Sequence, residues 1–407
     1  MRLPQRITRV GAVAILLAGT GALAACGSSS SSGGSSQPPL AGEAQLRSAM
    51  TALSANGGPP GVMTIVQQGS QVYELAEGKA DITSGQAMSG GATTRIASVS
   101  KPFSGAILLT LASQGKLALS STLAQALPSA PPAWGKATLA QVLQHTSGLP
   151  DYIKSPKFLK EFIANPKMER TPQQLIGYVA NKPLDFKPGS QYGYSDTDNI
   201  VAGLVAERVL AKPYSEILKD LVTAPMQLSN TSLPSTTALP SGFIHGYDVN
   251  PPAIPEGTPA PPEDVSELIN PGLAWASGGM ISTANDLNTF VRGFVSGKLF
   301  NPQVLTDPAG FVPGAGGPPG PGTNSSGLSI YRYETACGTV FGHTGNMPGY
   351  TAFVGSTADG SNSVVVVVNS QITPKGNDAV FNRLLAVENQ AICSANGQTG
   401  PSASASG

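Results

Sequence analysis

Hydrophobic positions along the chain change period twice. Residues 61–68 (GVMTIVQQ) and 71–75 (QVYEL) are short β-rich runs parted by Gly69-Ser70, and they predict a hairpin. From Phe103 the period lengthens. Phe103, Ile107, Leu108 and Leu111 recur at helical spacing, so residues 101–115 predict a helix with Ser98 at its start. Helical signals continue at 138–144, at 171–180, where Thr171 caps and Pro172 opens the first turn, and at 198–210 and 214–223. The stretch from Ser282 to Asp286 caps one more helix, running through Val295. Strand character returns at 327–333, 340–343, 350–355 and 362–369, and residues 377–387 close as a helix. Val364 to Val368 form an unbroken β-branched run, the pattern of a central strand covered on both faces.

Strands near both ends with helices between them predict an α/β fold with an all-helical lobe: one mainly antiparallel sheet flanked by helices. The sheet lobe is expected from residues 45–120 and 275–394, with the helical lobe at 121–274. Residues 249–263 and 307–325, rich in Pro and Gly, carry no periodicity and read as surface loops.

Composition narrows the class. A chain of 407 residues that is 40% hydrophobic can bury a large core, which excludes wholesale disorder. Balanced charge, 24 Lys+Arg against 24 Asp+Glu, removes the electrostatic footprint of a nucleic-acid binder. With 48 Gly and 35 Pro, a coiled coil is excluded as well. A monomer is expected.

The N-terminus points to export. Arg2, Arg6 and Arg9 precede an uncharged apolar run from Gly11 to Ala25, which gives way at Cys26 to a Ser/Gly tract. That is the layout of a secretory signal peptide over residues 1–25. Leu23-Ala24-Ala25-Cys26 resembles the bacterial lipobox, which implies lipid on Cys26 and attachment to the outer face of the cell membrane; the alternative is an ordinary signal peptide cut near Cys26. Residues 26–44 then form a flexible tether, 45–394 a single catalytic domain and 395–407 a loose tail. Cys337 and Cys393 remain. In an exported protein an isolated pair is more often a disulfide than two buried thiols.

Three polar clusters carry the candidate chemistry. Ser98 and Lys101 stand three apart, on one face of a helical turn, so the lysine amine can reach the serine hydroxyl. A serine needs a partner that takes its proton, and a helix N-terminus suits a developing oxyanion. The second cluster, Tyr192-Gly193-Tyr194-Ser195-Asp196, precedes a helix. The third, Gly342-His343-Thr344-Gly345-Asn346, ends a predicted strand. Ser-x-x-Lys alone is weak, but the three in this order resemble the serine β-lactamase-like superfamily, within it the branch of class C β-lactamases, D-alanyl-D-alanine carboxypeptidases and esterases. The stretches 143–150 and 278–286 also resemble family signatures.

The resemblance implies roles. Ser98 would be the acylated nucleophile, Lys101 its partner and Tyr194 the proton relay, with Tyr192 the competitor for that place. His343, Thr344 and Gly345 would line the acyl-binding strand, and the backbone N–H groups of Ser98 and Asn346 would form the oxyanion hole. His343 stands where the β-lactamases have lysine; an imidazole can still donate toward a substrate carboxylate, with a charge that depends on pH. Asp196 departs from the family's asparagine. A carboxylate cannot donate to a substrate amide, and it can hold Lys101 as ammonium, shifting base duty to Tyr194, unless it is turned aside. His145 reads as structural, and His245 has no evident partner.

No cofactor is needed, and no histidine has metal-ligand spacing to a cysteine. The first expectation for function is an acyl-enzyme-forming serine hydrolase acting on D-alanyl peptides or β-lactams. An esterase of the same fold, or an inactive envelope lipoprotein, is the alternative.

Overall fold

The computed structural model describes residues 37–249, 262–306, 310–314, 317–375 and 378–400. The signal segment, Cys26 and most of the tether lie outside the described residues, as do most of the 249–263 loop and residues 401–407.

Helix α1 (Glu43–Ser54) opens the body, followed by the hairpin β1 (Gly61–Gln68) and β2 (Gln71–Gly78), then β3 (Thr93–Arg95). A short 3-10 turn, Ala97–Ser100, runs straight into α2 (Lys101–Ser113). A mostly helical stretch comes next: α3 (Leu123–Ala126), α4 (Leu139–Leu143), α5 (Pro156–Ala164), α6 (Pro172–Gly177), α7 (Asp196–Leu210) and α8 (Tyr214–Leu218). The two-residue strands β4 (Tyr247–Asp248) and β5 (Glu263–Asp264) pair with each other. The chain returns through α9 (Trp275–Gly278), β6 (Ile281–Thr283), α10 (Ala284–Val295) and α11 (Gln303–Thr306). It then lays down β7 (Val312–Pro313), β8 (Thr323–Ser326), β9 (Tyr331–Thr335), β10 (Gly338–Met347), β11 (Tyr350–Ser356) and β12 (Asn362–Val368), and closes with α12 (Asp378–Ala395).

The sheet has eight strands in the order β2-β1-β12-β11-β10-β9-β8-β7, and every neighbouring pair is antiparallel. Strands from both ends of the chain therefore meet in one sheet, where β1 pairs with β12 in the register Ile65 to Val365. The valine run explains the layering. Val364, Val366 and Val368 point into a core under α1 and α12, whereas Val365 and Val367 point into the larger core shared with α2 and α10. Alternate residues of a strand face opposite sides, so a strand covered on both faces has no polar position to spare. The Cys337–Cys393 disulfide is present and ties the β9–β10 turn to α12.

Three differences from the sequence reading have local causes. Helix α1 begins inside the expected tether, and its Leu46, Met50 and Leu53 bury at helical spacing against the sheet. Part of the expected 307–325 loop forms the edge strand β7 and its neighbour β8, which pair through backbone and carry no apolar alternation to betray them. Helix α12 runs on to Ala395, because Ala391, Ile392 and Cys393 continue its buried face. Among the described residues no helix is long and apolar enough to cross a membrane.

Candidate active site

Ser98 lies in the 3-10 turn, and Lys101 is the first residue of α2, so the i, i+3 geometry expected from sequence is present. The turn is held by Ala97 at φ 47°, a left-handed conformation that costs a non-glycine residue of order 1–3 kcal/mol. Lys101 is 0% exposed. Its ammonium spends all three protons: on Ser98 Oγ at 3.0 Å, on Asp196 Oδ1 at 2.6 Å and on the Ser277 carbonyl at 2.9 Å. Helix α7 supplies Asp196 as its first residue, where the helix dipole favours a carboxylate, and α9 supplies the Ser277 carbonyl.

Tyr194 leads into α7. Its ring lies 4.8 Å from Lys101 Nζ and 4.6 Å from the His145 ring. Burial and then Asp196 push its phenol well above the usual range, with the Ser98 hydroxyl opposing them. The Tyr194 hydroxyl thus feels the Ser98 hydroxyl, though it makes no hydrogen bond of good geometry among the described residues. That shift favours the neutral phenol. Tyr192 is elsewhere: its hydroxyl bonds Tyr331 Oη at 2.7 Å and the Gly317 carbonyl.

The strand β10 comes very close to the serine turn. A Cβ added at Gly345 would lie 2.2 Å from the Ile96 carbonyl, so only glycine permits this approach. Thr344, Gly345 and Asn346 line the cleft beside Ser98. The Asn346 side chain is tied sideways to Thr351 Oγ1 and the Ile372 carbonyl, at 3.1 and 2.6 Å.

His343 lies next to these residues on β10. It is 1% exposed and packs between Tyr331 and the cleft residue Tyr194, donating Nδ1–H to the Thr344 carbonyl at 2.5 Å. It is not among the residues lining the cleft. Burial, then the Lys101 charge, pull it down to about 3, so it is neutral and offers no charge to a substrate carboxylate. His343 shares its strand face with Gly345, the face turned toward the serine turn, and Tyr194 and Tyr331 cover its ring there.

The sequence reading missed several groups. Asp151 accepts from the Asp196 backbone N–H at 3.2 Å, and burial, then Asp196, raise its carboxyl to about 7. Asp198, in the first turn of α7, accepts from His145 Nδ1 at 2.8 Å and Ser147 Oγ at 2.5 Å, fixing the turn against which Tyr194 packs. His145 is also pulled down to about 3, chiefly by burial. His245, without a partner in the sequence reading, bonds Asp264 at 2.7 Å. Two cavities meet at Ser98, Ile153, Asp196 and Asn346. One, of about 690 Å³, runs beneath α12; the other, of about 300 Å³, is walled by Phe158, Leu159, Phe162 and Leu273. A carbonyl carbon above Ser98 thus has separate room for its acyl part and its leaving group.

Known proteins resemble this chain. The family model described as Beta-lactamase matches residues 46–388. Esterase EstB of Burkholderia gladioli is 28% identical over 280 residues, covering 61% of this chain and 68% of that protein. The solved D-stereospecific amidohydrolase from Streptomyces sp. superposes with a TM-score of 0.70 at 28% identity, covering 83% of this chain and 97% of that one. The D-amino acid amidase from Ochrobactrum anthropi SV3 shares the fold with a TM-score of 0.74 at 23% identity, covering 86% and 97%. A match of this extent, over a sheet and cleft of this form, means that the chain belongs to the Beta-lactamase family, within the β-lactamase/transpeptidase-like serine hydrolases.

Proposed function

We propose that the protein is a serine hydrolase that forms an acyl-enzyme on Ser98 and acts on esters in preference to D-alanyl peptides or β-lactams. The observation that carries this reading is the Ser98–Lys101–Asp196 chain, with contacts of 3.0 and 2.6 Å. An asparagine cannot take a proton from Lys101; a carboxylate can. As Ser98 Oγ bonds to the carbonyl carbon, its proton passes to Lys101 while Lys101 gives one to Asp196. Tyr194, a phenol at rest, protonates the departing alkoxide. In deacylation, water gives a proton to the Tyr194 phenolate and its oxygen adds to the acyl carbon. Ser98 Oγ then leaves with a proton from Lys101, which Asp196 replaces. Each group ends in its starting state.

Two features favour esters over the first expectation. The neutral, buried His343 supplies no cation for the terminal carboxylate of a D-alanyl peptide, and Asp196 removes an amide donor from the cleft. The similarity to Esterase EstB points the same way. Steady-state kinetics on a p-nitrophenyl ester, a D-alanyl-D-alanine peptide and a cephalosporin should give a kcat/KM at least about 100-fold higher for the ester, the lower end of what general acid–base help supplies. A peptide or cephalosporin turned over as fast as the ester would overturn the preference. Export and lipidation at Cys26 remain part of the proposal, supported by the sequence of residues 1–36.

A further inference from the structure

The larger cavity contains a carboxyl group that the mechanism does not use. Phe381, Leu384 and Glu388 occur at spacings of three and four on one face of α12, and all three line the space that begins at Ser98. Glu388 is 2% exposed, and its Oε2 has no hydrogen-bond partner among the described residues. Tyr333 on β9 lies near it and interacts with Thr344 of the cavity wall. A buried, unsatisfied carboxyl commonly costs 1–3 kcal/mol or more, and a cleft is where such a group has a use.

We propose that the buried end of this cavity is a subsite for a primary ammonium group, with Glu388 as its counter-ion and the determinant of substrate choice. The preferred esters then carry an amine in the group that reaches beneath α12. A carboxylate offers about four acceptor sites to an ammonium. The charge of the lining agrees. Its acids are Glu388 and Asp196, the latter already paired with Lys101, and its one basic residue among those described is Lys375, exposed at the rim.

Burial alone raises Glu388 to about 8, with no charged neighbour contributing. The groups that could interfere are accounted for. Among the elements packed on α12, β1 and β12 carry no titratable side chain, β10 carries the neutral His343, and α1 carries Glu43 and Arg47, paired with each other. On α12 itself, Arg383 bonds the Ala52 and Ala55 carbonyls, and Asp378 lies in the first turn. Capture of an ammonium near neutral pH must therefore expel the Glu388 proton.

The test uses the mature chain with Ser98→Ala, so it does not depend on the nucleophile; failure of the catalytic reading would show separately, as absent ester turnover in the wild type. Calorimetry would compare butyl- to octylammonium ions with the 1-alkanols of equal length. At least one ammonium should bind ten or more times more tightly than its alcohol, with close to one proton released per ligand at pH 7, read from two buffers of different ionisation enthalpy. Adding Glu388→Gln should bring the pair within threefold. Equal affinities, binding without proton release, or a preference that survives Glu388→Gln would each overturn the proposal. The proton count needs no Glu388 variant and holds even if that variant fails to fold.

Discussion

At the scale of single residues, Asp196 and Glu388 are two buried carboxyls with opposite circumstances. Asp196 is held by an ammonium at 2.6 Å, whereas Glu388 has no charge near it. Replacing Asp196 by Asn keeps the shape and an acceptor for Lys101 but removes the proton sink. Ester kcat should fall about 10²-fold or more, and the ratio of amide to ester turnover should rise. Unchanged ester kcat in the variant would remove Asp196 from the proton path. Glu388 makes a prediction about stability. Its folded pKa of about 8 lies above the ordinary carboxylic range, so between about pH 4 and pH 8 the folded state holds a proton that the unfolded chain has lost. Stability is thus lost as pH rises through that window. Glu388→Gln should be more stable than wild type by roughly 3 kcal/mol at pH 7 and about equal to it at pH 4, measured by urea unfolding. A difference that does not change with pH would contradict this.

At the scale of elements, the site depends on how closely β10 approaches the Ala97–Ser100 turn. Gly345→Ala puts a methyl 2.2 Å from the Ile96 carbonyl, and backbone on both sides has little room to yield. The variant should lose about 1–3 kcal/mol of stability, the usual cost of overpacking, and a disproportionate share of its kcat, because Asn346 moves away from Ser98. Loss of stability with kcat intact would mean that the strand does not set the oxyanion geometry. The elements themselves were largely legible. Helix α2 and the hairpin stood out because apolar period and turn residues agreed, and β12 because only a strand sheathed on both faces can use five valines. The missed pieces lacked such agreement. Strand β8 reads Thr-Asn-Ser-Ser, whose pairing is a matter of backbone alone, and α1 was overshadowed by the polar tract before it.

At the scale of the whole molecule, Ser98 sits where the sheet, α2 and the helical stretch meet, with one cavity on either side of it. Sequence could bring Ser98, Lys101, Tyr194 and the β10 motif together through resemblance to a family. It could not tell which way each side chain faces. His343 and Thr344 are neighbours on a strand, and only the packing of Tyr331 and Tyr194 against the imidazole decides that the histidine is buried while the threonine lines the cleft. Asp151, Asp198 and Glu388 were hidden for a related reason: each is a lone acid in sequence and becomes notable only through burial. The central claim is the acyl-enzyme on Ser98. Mass spectrometry of the mature protein, quenched in acid during turnover of a p-nitrophenyl ester, should find one acyl group, mapped by peptide digestion to Ser98 and absent from Ser98→Ala. An adduct on any other residue, or a Ser98→Ala protein that hydrolyses the ester at the wild-type rate, would contradict it.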